Sequence, residues 1–250
     1  MKISIITVSL NSEETIEKTI KSVISQEHVD KEFIIVDGKS KDDTLSILNK
    51  YKDKINIIIS EKDAGIYDAI NKGIKISSGD IISLLHANDI YTTSKVLYEV
   101  NDFFLKNKNT DILLANSSFN KDSNDHKYTR YYSSKIFKPL MLRVGYSPPH
   151  LSSFFTKRSI IINGLYDKSY KIAGDFEYFV RSFLINKLTF KKLDKCFVNM
   201  STGGISGRNF NSYIISSLEI NKALKQNGIY SNIFLTFFRF PIKIFQFFFK

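Results

Sequence analysis

In the first hundred or so residues, solid apolar runs alternate with stretches whose apolar positions recur at helical spacing. Ile3 to Val8, Phe33 to Val36, Ile55 to Ile59 and Ile81 to Leu85 are the runs, and each predicts a strand. Between them come Ile16, Ile20, Val23 and Ile24, then Leu45, Leu48 and Tyr51, then Ile66 to Ile76. Each of these predicts a helix with one buried face. Asn11-Ser12-Glu13-Glu14 and Asp42-Asp43-Thr44 mark the first two helix starts, where acids favour the positive end of the helix dipole. Strands this uniformly apolar are covered on both faces, and βαβα order implies a mostly parallel sheet. In open α/β sheets, ligands bind beyond the carboxyl ends of the strands. Asp37 follows the second run and Asn88-Asp89 the fourth, so both acids are expected to face one crevice.

After about residue 110 the rhythm changes. Asp111 to Ala115 and Leu151 to Phe155 predict strands, and Lys127 to Tyr132 a hairpin strand. Asn120 to Asp125 reads as a polar loop, Ser147-Pro-Pro-His150 as a turn, and Asp175 to Asn186 as a helix. No internal repeat or low-complexity linker divides the chain, so the second half elaborates the first. The last part differs. Beyond Glu219 there is no acid, and residues 233–250 read IFLTFFRFPIKIFQFFFK. That stretch holds eight phenylalanines with Arg239, Lys243 and Lys250 among them, and Pro241 interrupts any helix through it. Aromatic bulk mixed with cations suits a membrane interface. The plainer alternative is a helix packed on the domain.

A chain of 250 residues with 43% hydrophobic positions is long enough to bury one sizeable core, with or without an appendage. The 36 Lys+Arg against 25 Asp+Glu give a formal net charge of +11, which favours an anionic partner. The basic residues are dispersed and no nucleic-acid recognition motif occurs, so an anionic membrane surface or a phosphorylated substrate is expected rather than nucleic acid. Cys196 is the only cysteine, which excludes an internal disulfide and fits a reducing compartment. The N-terminus MKISIITVSLNSEE lacks the long apolar core of a signal peptide and reads as a strand. No uncharged apolar stretch approaches the ~20 residues of a spanning helix.

Several chemistries are absent: the GxGxxG dinucleotide fingerprint, the Walker lysine loop, HExxH, paired CxxC and the GxSxG elbow. The four histidines, His28, His86, His126 and His150, are scattered along the chain. What remains is carboxylates at strand ends. Asp37 either accepts N–H groups of a nucleobase or caps the turn before Thr44. Asp63-Ala-Gly-Ile-Tyr-Asp68 leads into a helix whose first N–H groups suit a phosphate, though Asp68 and Asn71 serve equally as cap and surface residues. Asn88-Asp89 offers hard oxygen ligands for Mg²⁺ or Mn²⁺, or is simply a turn.

Taken together, ISIITVSLN (3–11), FIIVDGKSKDDT (33–44), SEKDAGIYDAINKGI (60–74), SGDIISLLHANDIY (78–91) and AGDFEYFVR (173–181) resemble the family 2 glycosyltransferases of the GT-A fold. Several motifs in the right order are far more specific than any one of them. The resemblance implies a GT-A domain over 1–207, with a nucleotide-sugar half (1–110) and an acceptor half (111–207), followed by an amphipathic helical, membrane-interfacial tail over 208–250. It implies that Thr7, Asn11, Asp37, Asp63, Asn71 and Asn88 line the donor nucleotide and that Asp89 binds Mn²⁺ or Mg²⁺. Asp175 would be the catalytic base, with Glu177 the next candidate, and His150, Gly204 and Ser206 would flank the acceptor. One position departs from the pattern: the usual Asp-Asp is here Asn88-Asp89, which keeps the metal position and removes one charge. The implied reaction is a single inverting displacement from a nucleotide-sugar, most often a UDP-sugar, to a glycan or polyprenyl-pyrophosphate-linked acceptor. The implied setting is bacterial O-antigen, capsule or exopolysaccharide assembly, in the cytoplasm at the inner face of the plasma membrane. Two rivals stand beside it: a sugar-nucleotide nucleotidyltransferase, and a non-catalytic nucleotide-binding assembly protein.

Overall fold

The computed structural model of the protein describes residues 1–28, 30–120, 130–201 and 210–241. Its first half is a parallel sheet. β1 (Ile3–Ser9) pairs with β2 (Lys31–Asp37) on one side and β4 (Ile81–Leu84) on the other, and β3 (Ile57–Ser60) pairs outside β2. Every residue of β1 and β4 is buried, as their solid apolar runs required. The connections are α1 (Ile16–Ile24), α2 (Thr44–Lys50) and α3 (Ile66–Ile76). α3 packs on β1 and β2, close enough that Gly73 lies against Ile6. β3 begins two residues later than the apolar run suggested. Residues 52–54 form a 3₁₀ turn, and Asn56 spends its side-chain oxygen on the Phe33 N–H before the strand starts.

The second half adds strands of mixed direction: β5 (Ile90–Tyr91), β6 (Ile112–Asn120), β7 (Arg130–Tyr132), β8 (Ser153–Thr156) and β9 (Phe190–Ser201). The described strands form one sheet in the order β3-β2-β1-β4-β8-β6-β9-β5, with β7 hung on β6. β8 runs antiparallel to both β4 and β6, so it splices the two halves together. The remaining helices are α4 (Val96–Lys106), α5 (Lys157–Asn163), α6 (Gly174–Val180), α7 (Phe210–Gln226) and α8 (Ile233–Phe237). The helix expected over 175–186 is α-helical only to Val180. A π turn over Arg181–Ile185 follows, closed by the Asn186 N–H donating to the Arg181 carbonyl. Residues 121–125 of the expected polar loop and 127–129 of the expected hairpin strand lie outside the described residues.

The start of the C-terminal segment is fastened to the domain. α7 packs against α6, and α8 against α7 and the turn over 139–144. Asn221 donates to Thr236 (3.1 Å), and Arg239 donates to the Ser217 hydroxyl (2.7 Å). Arg239, expected among the interfacial cations, is instead 2% exposed and stacks on Phe240. Tyr213, Ile214 and Leu218 of α7 and Phe234, Phe237 and Phe238 of the α8 segment remain exposed. No helix among the described residues is long and apolar enough to cross a membrane.

A Cβ at Gly73 would stand 2.4 Å from Cγ2 of Ile6, itself buried in β1. Gly73→Ala is therefore expected to lower stability by about 1–3 kcal/mol, despite alanine's better helix propensity. Urea denaturation followed by circular dichroism checks the sign.

Candidate active site

The tips of the parallel strands are stitched together by short polar side chains. Asp37, wholly buried at the end of β2, accepts from the hydroxyls of Ser9 (3.1 Å), Ser40 (2.5 Å) and Ser60 (2.9 Å) and from the Ser40 N–H (2.9 Å). A carboxylate offers about four lone-pair sites, so these donors fill it. A nucleobase N–H would have to take the place of one hydroxyl. Asn11 adopts the left-handed conformation (φ 48) and accepts the Lys41 N–H, while its own N–H donates to Ser40. Asp63 accepts the Gly65 N–H, and its other oxygen presses on Gly38, where a Cβ would lie 2.6 Å away. Glycine directly after Asp37 therefore lets Asp63 approach. Thr7 is buried in β1 with its hydroxyl unpartnered.

Asn88 and Asp89 follow β4, as expected. Asn88 donates its amide to the Ser201 hydroxyl (2.7 Å), and the Ser201 N–H donates to Oδ1 of Asp89 (3.0 Å). Asp89 is 4% exposed, and its Oδ2 accepts from no described residue. Burial pushes its carboxyl up to about 7, against the one N–H that favours the charged form. A buried carboxylate with one oxygen uncommitted among the described residues suits a hard divalent cation that takes its other ligands from a diphosphate and water. No group of three or more acidic, histidine or cysteine side chains that could hold a metal occurs among the described residues.

The far wall is aromatic. His150 shares a hydrogen bond with the Tyr166 hydroxyl (2.8 Å), and Tyr166 is stacked between Tyr67 and Tyr178. His86, just past β4, lies near enough to His150 for a charge on one ring to disfavour a charge on the other. Burial pushes their imidazoles down to about 3 and about 4, with His150 as a second cause for His86, so both are neutral. Nothing in the sequence pairs these two rings, because β8 alone brings residue 150 to β4.

Asp175 opens α6 and accepts the Phe176 N–H at 2.7 Å. The Tyr67 hydroxyl receives the N–H groups of Gly174 (2.8 Å) and Asp175 (3.3 Å). Glu177, the neighbouring acid, is 5% exposed and held by Nε and Nη2 of Arg181 at 2.7 and 2.9 Å, which leaves it unsuited to accept a substrate proton. Asn71 turns away from the strand tips: its amide donates to the Tyr166 carbonyl (2.8 Å) and accepts the Tyr166 N–H (2.9 Å). Gly204 and Ser206 lie outside the described residues, which break off at Ser201 beside Asp89. Tyr67, Tyr166, His86 and Glu219 are the site residues that sequence reasoning missed. Tyr67 was within reach, since it stands in DAGIYDA on the buried face of α3.

The family model described as glycosyl transferase family 2 matches residues 4–161. An "uncharacterized glycosyltransferase" of Mycobacterium tuberculosis is 29% identical over 184 residues, 73% of this chain and 69% of the relative. The Escherichia coli UDP-Glc:alpha-D-GlcNAc-diphosphoundecaprenol beta-1,3-glucosyltransferase WfaP is 33% identical over 121 residues, 48% of this chain and 47% of the relative. Among solved structures, Staphylococcus aureus TarS 1–349 in complex with UDP-GlcNAc superposes with a TM-score of 0.70 at 18% identity, covering 92% of this chain and 68% of that one. The chain spans 41% of the longer TarS structure. The Pyrobaculum calidifontis mannosyltransferase PcManGT, in complex with GDP-Man and Mn²⁺, gives 0.65 at 13% identity, covering 90% and 63%.

In metal-free protein the raised pKa of Asp89 is a stability cost. Its folded carboxyl holds a proton more tightly than an unfolded one, so stability falls as pH rises from about 4 towards about 7 and is level above that. Asp89→Asn should therefore melt higher than wild type in EDTA, by roughly 5 °C at pH 8 and by much less at pH 5. Differential scanning fluorimetry across that range measures the gap.

Proposed function

The chain belongs to glycosyl transferase family 2, and on that premise we propose that it moves a sugar, with inversion, from a UDP-sugar to a hydroxyl of a polyprenyl-diphosphate-linked glycan. The observation that carries this reading is Asp89, a buried carboxylate at the end of β4 whose Oδ2 accepts from no described residue. The residues present fit a divalent cation there. Asp89 would hold Mn²⁺ or Mg²⁺, which offsets the charge on the departing nucleoside diphosphate. Neighbours of the same fold carry UDP-GlcNAc, or GDP-Man with Mn²⁺, which supports a nucleotide-sugar donor and a divalent cofactor. The activity named for the E. coli relative supports a lipid-linked acceptor.

The chain's own residues then divide the work. Thr7, Asn11, Asp37 and Asp63 border the nucleotide pocket, Asp37 by holding its walls in place. Asn88 offers its amide oxygen, unbonded among the described residues, to a ribose hydroxyl. Asn71 joins the donor-side helix to the acceptor side through Tyr166. Asp175 takes the proton from the attacking hydroxyl, because an alcohol of high pKa needs a base as it forms the new bond. Engagement of Glu177 by Arg181 leaves Asp175 as the base of this segment. The family resemblance assigns His150, Gly204 and Ser206 to the acceptor.

The domain over 1–207 carries the chemistry, and 208–250 brings it to anionic membrane at the cytoplasmic face. The exposed Phe234, Phe237 and Phe238, in a segment without acids after Glu219, support that placement. O-antigen, capsule or exopolysaccharide assembly is the corresponding pathway class.

UDP is expected to raise the melting temperature with Mn²⁺ and far less with EDTA. Absence of any metal-dependent shift, for UDP and GDP alike, would refute the donor reading. Asp175→Asn should reduce transfer by about 10²–10⁴-fold while leaving UDP affinity within a few fold. Replacing Phe234, Phe237 and Phe238 together by serine should abolish co-sedimentation with phosphatidylglycerol vesicles and leave UDP binding intact.

A further inference from the structure

Five consecutive backbone N–H groups, from Lys171 to Asp175, are each taken by a side chain of another element. Glu219 of α7 accepts those of Lys171 (2.8 Å), Ile172 (2.9 Å) and Ala173 (2.8 Å). The Tyr67 hydroxyl of α3 accepts those of Gly174 (2.8 Å) and Asp175 (3.3 Å) and donates to the Ile172 carbonyl (2.7 Å). Together they fix the loop's path up to Asp175.

Three further observations show that the Tyr67 contact is specified. A Cβ at residue 174 would lie 2.7 Å from the Tyr67 ring, so only glycine lets the loop close on the hydroxyl. The ring cannot swing aside, because it stacks on Tyr166 at 5.9 Å and Tyr166 on Tyr178 at 4.1 Å. Burial first, and then the nearby charge of Asp175, push the Tyr67 phenol well above its ordinary pKa, so it stays a neutral hydroxyl able to donate and accept together.

We propose that Tyr67 and Glu219 are positioning residues for the reaction: they touch no substrate and hold Asp175 where its carboxylate meets the acceptor hydroxyl. The proposal rests on Asp175 being the base. Its consequence is a rigid link across the crevice. α3 begins directly after Asp63 and Gly65, beside the nucleotide pocket, and Tyr67 ties that helix to the acceptor-side loop. Glu219 ties the same loop to the helix that leads into the C-terminal segment. Displacing a reacting group by about 1 Å can cost roughly a hundredfold in rate, so the clamp has kinetic weight without contacting substrate.

The test uses the full chain with Tyr67→Phe, Glu219→Gln, Asp175→Asn and the Tyr67→Phe/Asp175→Asn double variant. Hydrogen exchange over residues 166–178 reads the clamp whether or not the natural acceptor is known. Residues 174–175 are expected to exchange at least tenfold faster in Tyr67→Phe and 171–173 in Glu219→Gln, with little change in melting temperature. UDP release from UDP-glucose and UDP-GlcNAc, with Mn²⁺ and water as acceptor, reads the chemistry. It should fall about 10–100-fold in each clamp variant with KM and UDP affinity unchanged. The double variant should be no slower than Asp175→Asn alone, because residues acting as one unit are not additive. Unchanged exchange in both variants, or losses that multiply in the double variant, would overturn the clamp. Undiminished UDP release by Asp175→Asn would instead remove the base, and the proposal with it, whatever the exchange shows.

Discussion

The parallel register of β1 between β2 and β4 decides which side chains meet at the crevice. Ser9 stands opposite Asp37, and Asp37 opposite Ser60, so three neighbouring strands end level with one another. A slip of one residue would turn each of these side chains to the other face of the sheet. The Asp37 carboxylate locks the register chemically. It gathers hydroxyls from β1, from β3 and from its own loop, and a buried carboxylate that lost them would be left with costly unmet hydrogen bonds. Asn11, Asp63, Asn88 and Asp89 all hang from those level ends.

Two carboxylates in unlike surroundings then give the crevice its polarity. Asp89 is almost sealed and, among the described residues, accepts one N–H on one oxygen and nothing on the other. Its charge is poorly compensated until a cation arrives, which makes the empty form less stable than it need be and cation binding correspondingly favourable. Asp175 lies partly exposed at the start of α6, and its own N–H and the four before it are all bound to Glu219 and Tyr67. On the function proposed above, one acid would receive a metal and the other is held still. His150 is hydrogen-bonded to Tyr166, and burial keeps the imidazoles of His86 and His150 neutral.

The first half was legible because its buried parallel strands are written as largely apolar runs, and each run ends on its polar tip residue. The second half was not. β9 carries Lys191, Lys192, Asp194 and Lys195 in a strand exposed along much of its length, so it has no apolar signature, and it went unpredicted together with β5 and α4. Asn71 shows the limit of motif transfer: it stands in the expected motif, but its side chain is spent on the Tyr166 backbone, a partner 95 positions away. Arg239 shows the limit of composition. Set among phenylalanines it reads as an interfacial cation, whereas the turn at Gly145 and the hydroxyl of Ser217 draw it inside. The clamp on Asp175 combines residues from positions 67, 174 and 219, and no local pattern connects them.

The central claim is that the acid at the end of β4 and the clamped acid of α6 serve one donor in one crevice. Crystals grown with UDP and Mn²⁺, with diffraction recorded at the manganese absorption edge, test it most directly. The account predicts an anomalous peak against Oδ2 of Asp89, with the diphosphate bound to it and the uridine along the tips of β1 and β2. A nucleotide bound elsewhere, or bound there with its manganese on other residues, would contradict it.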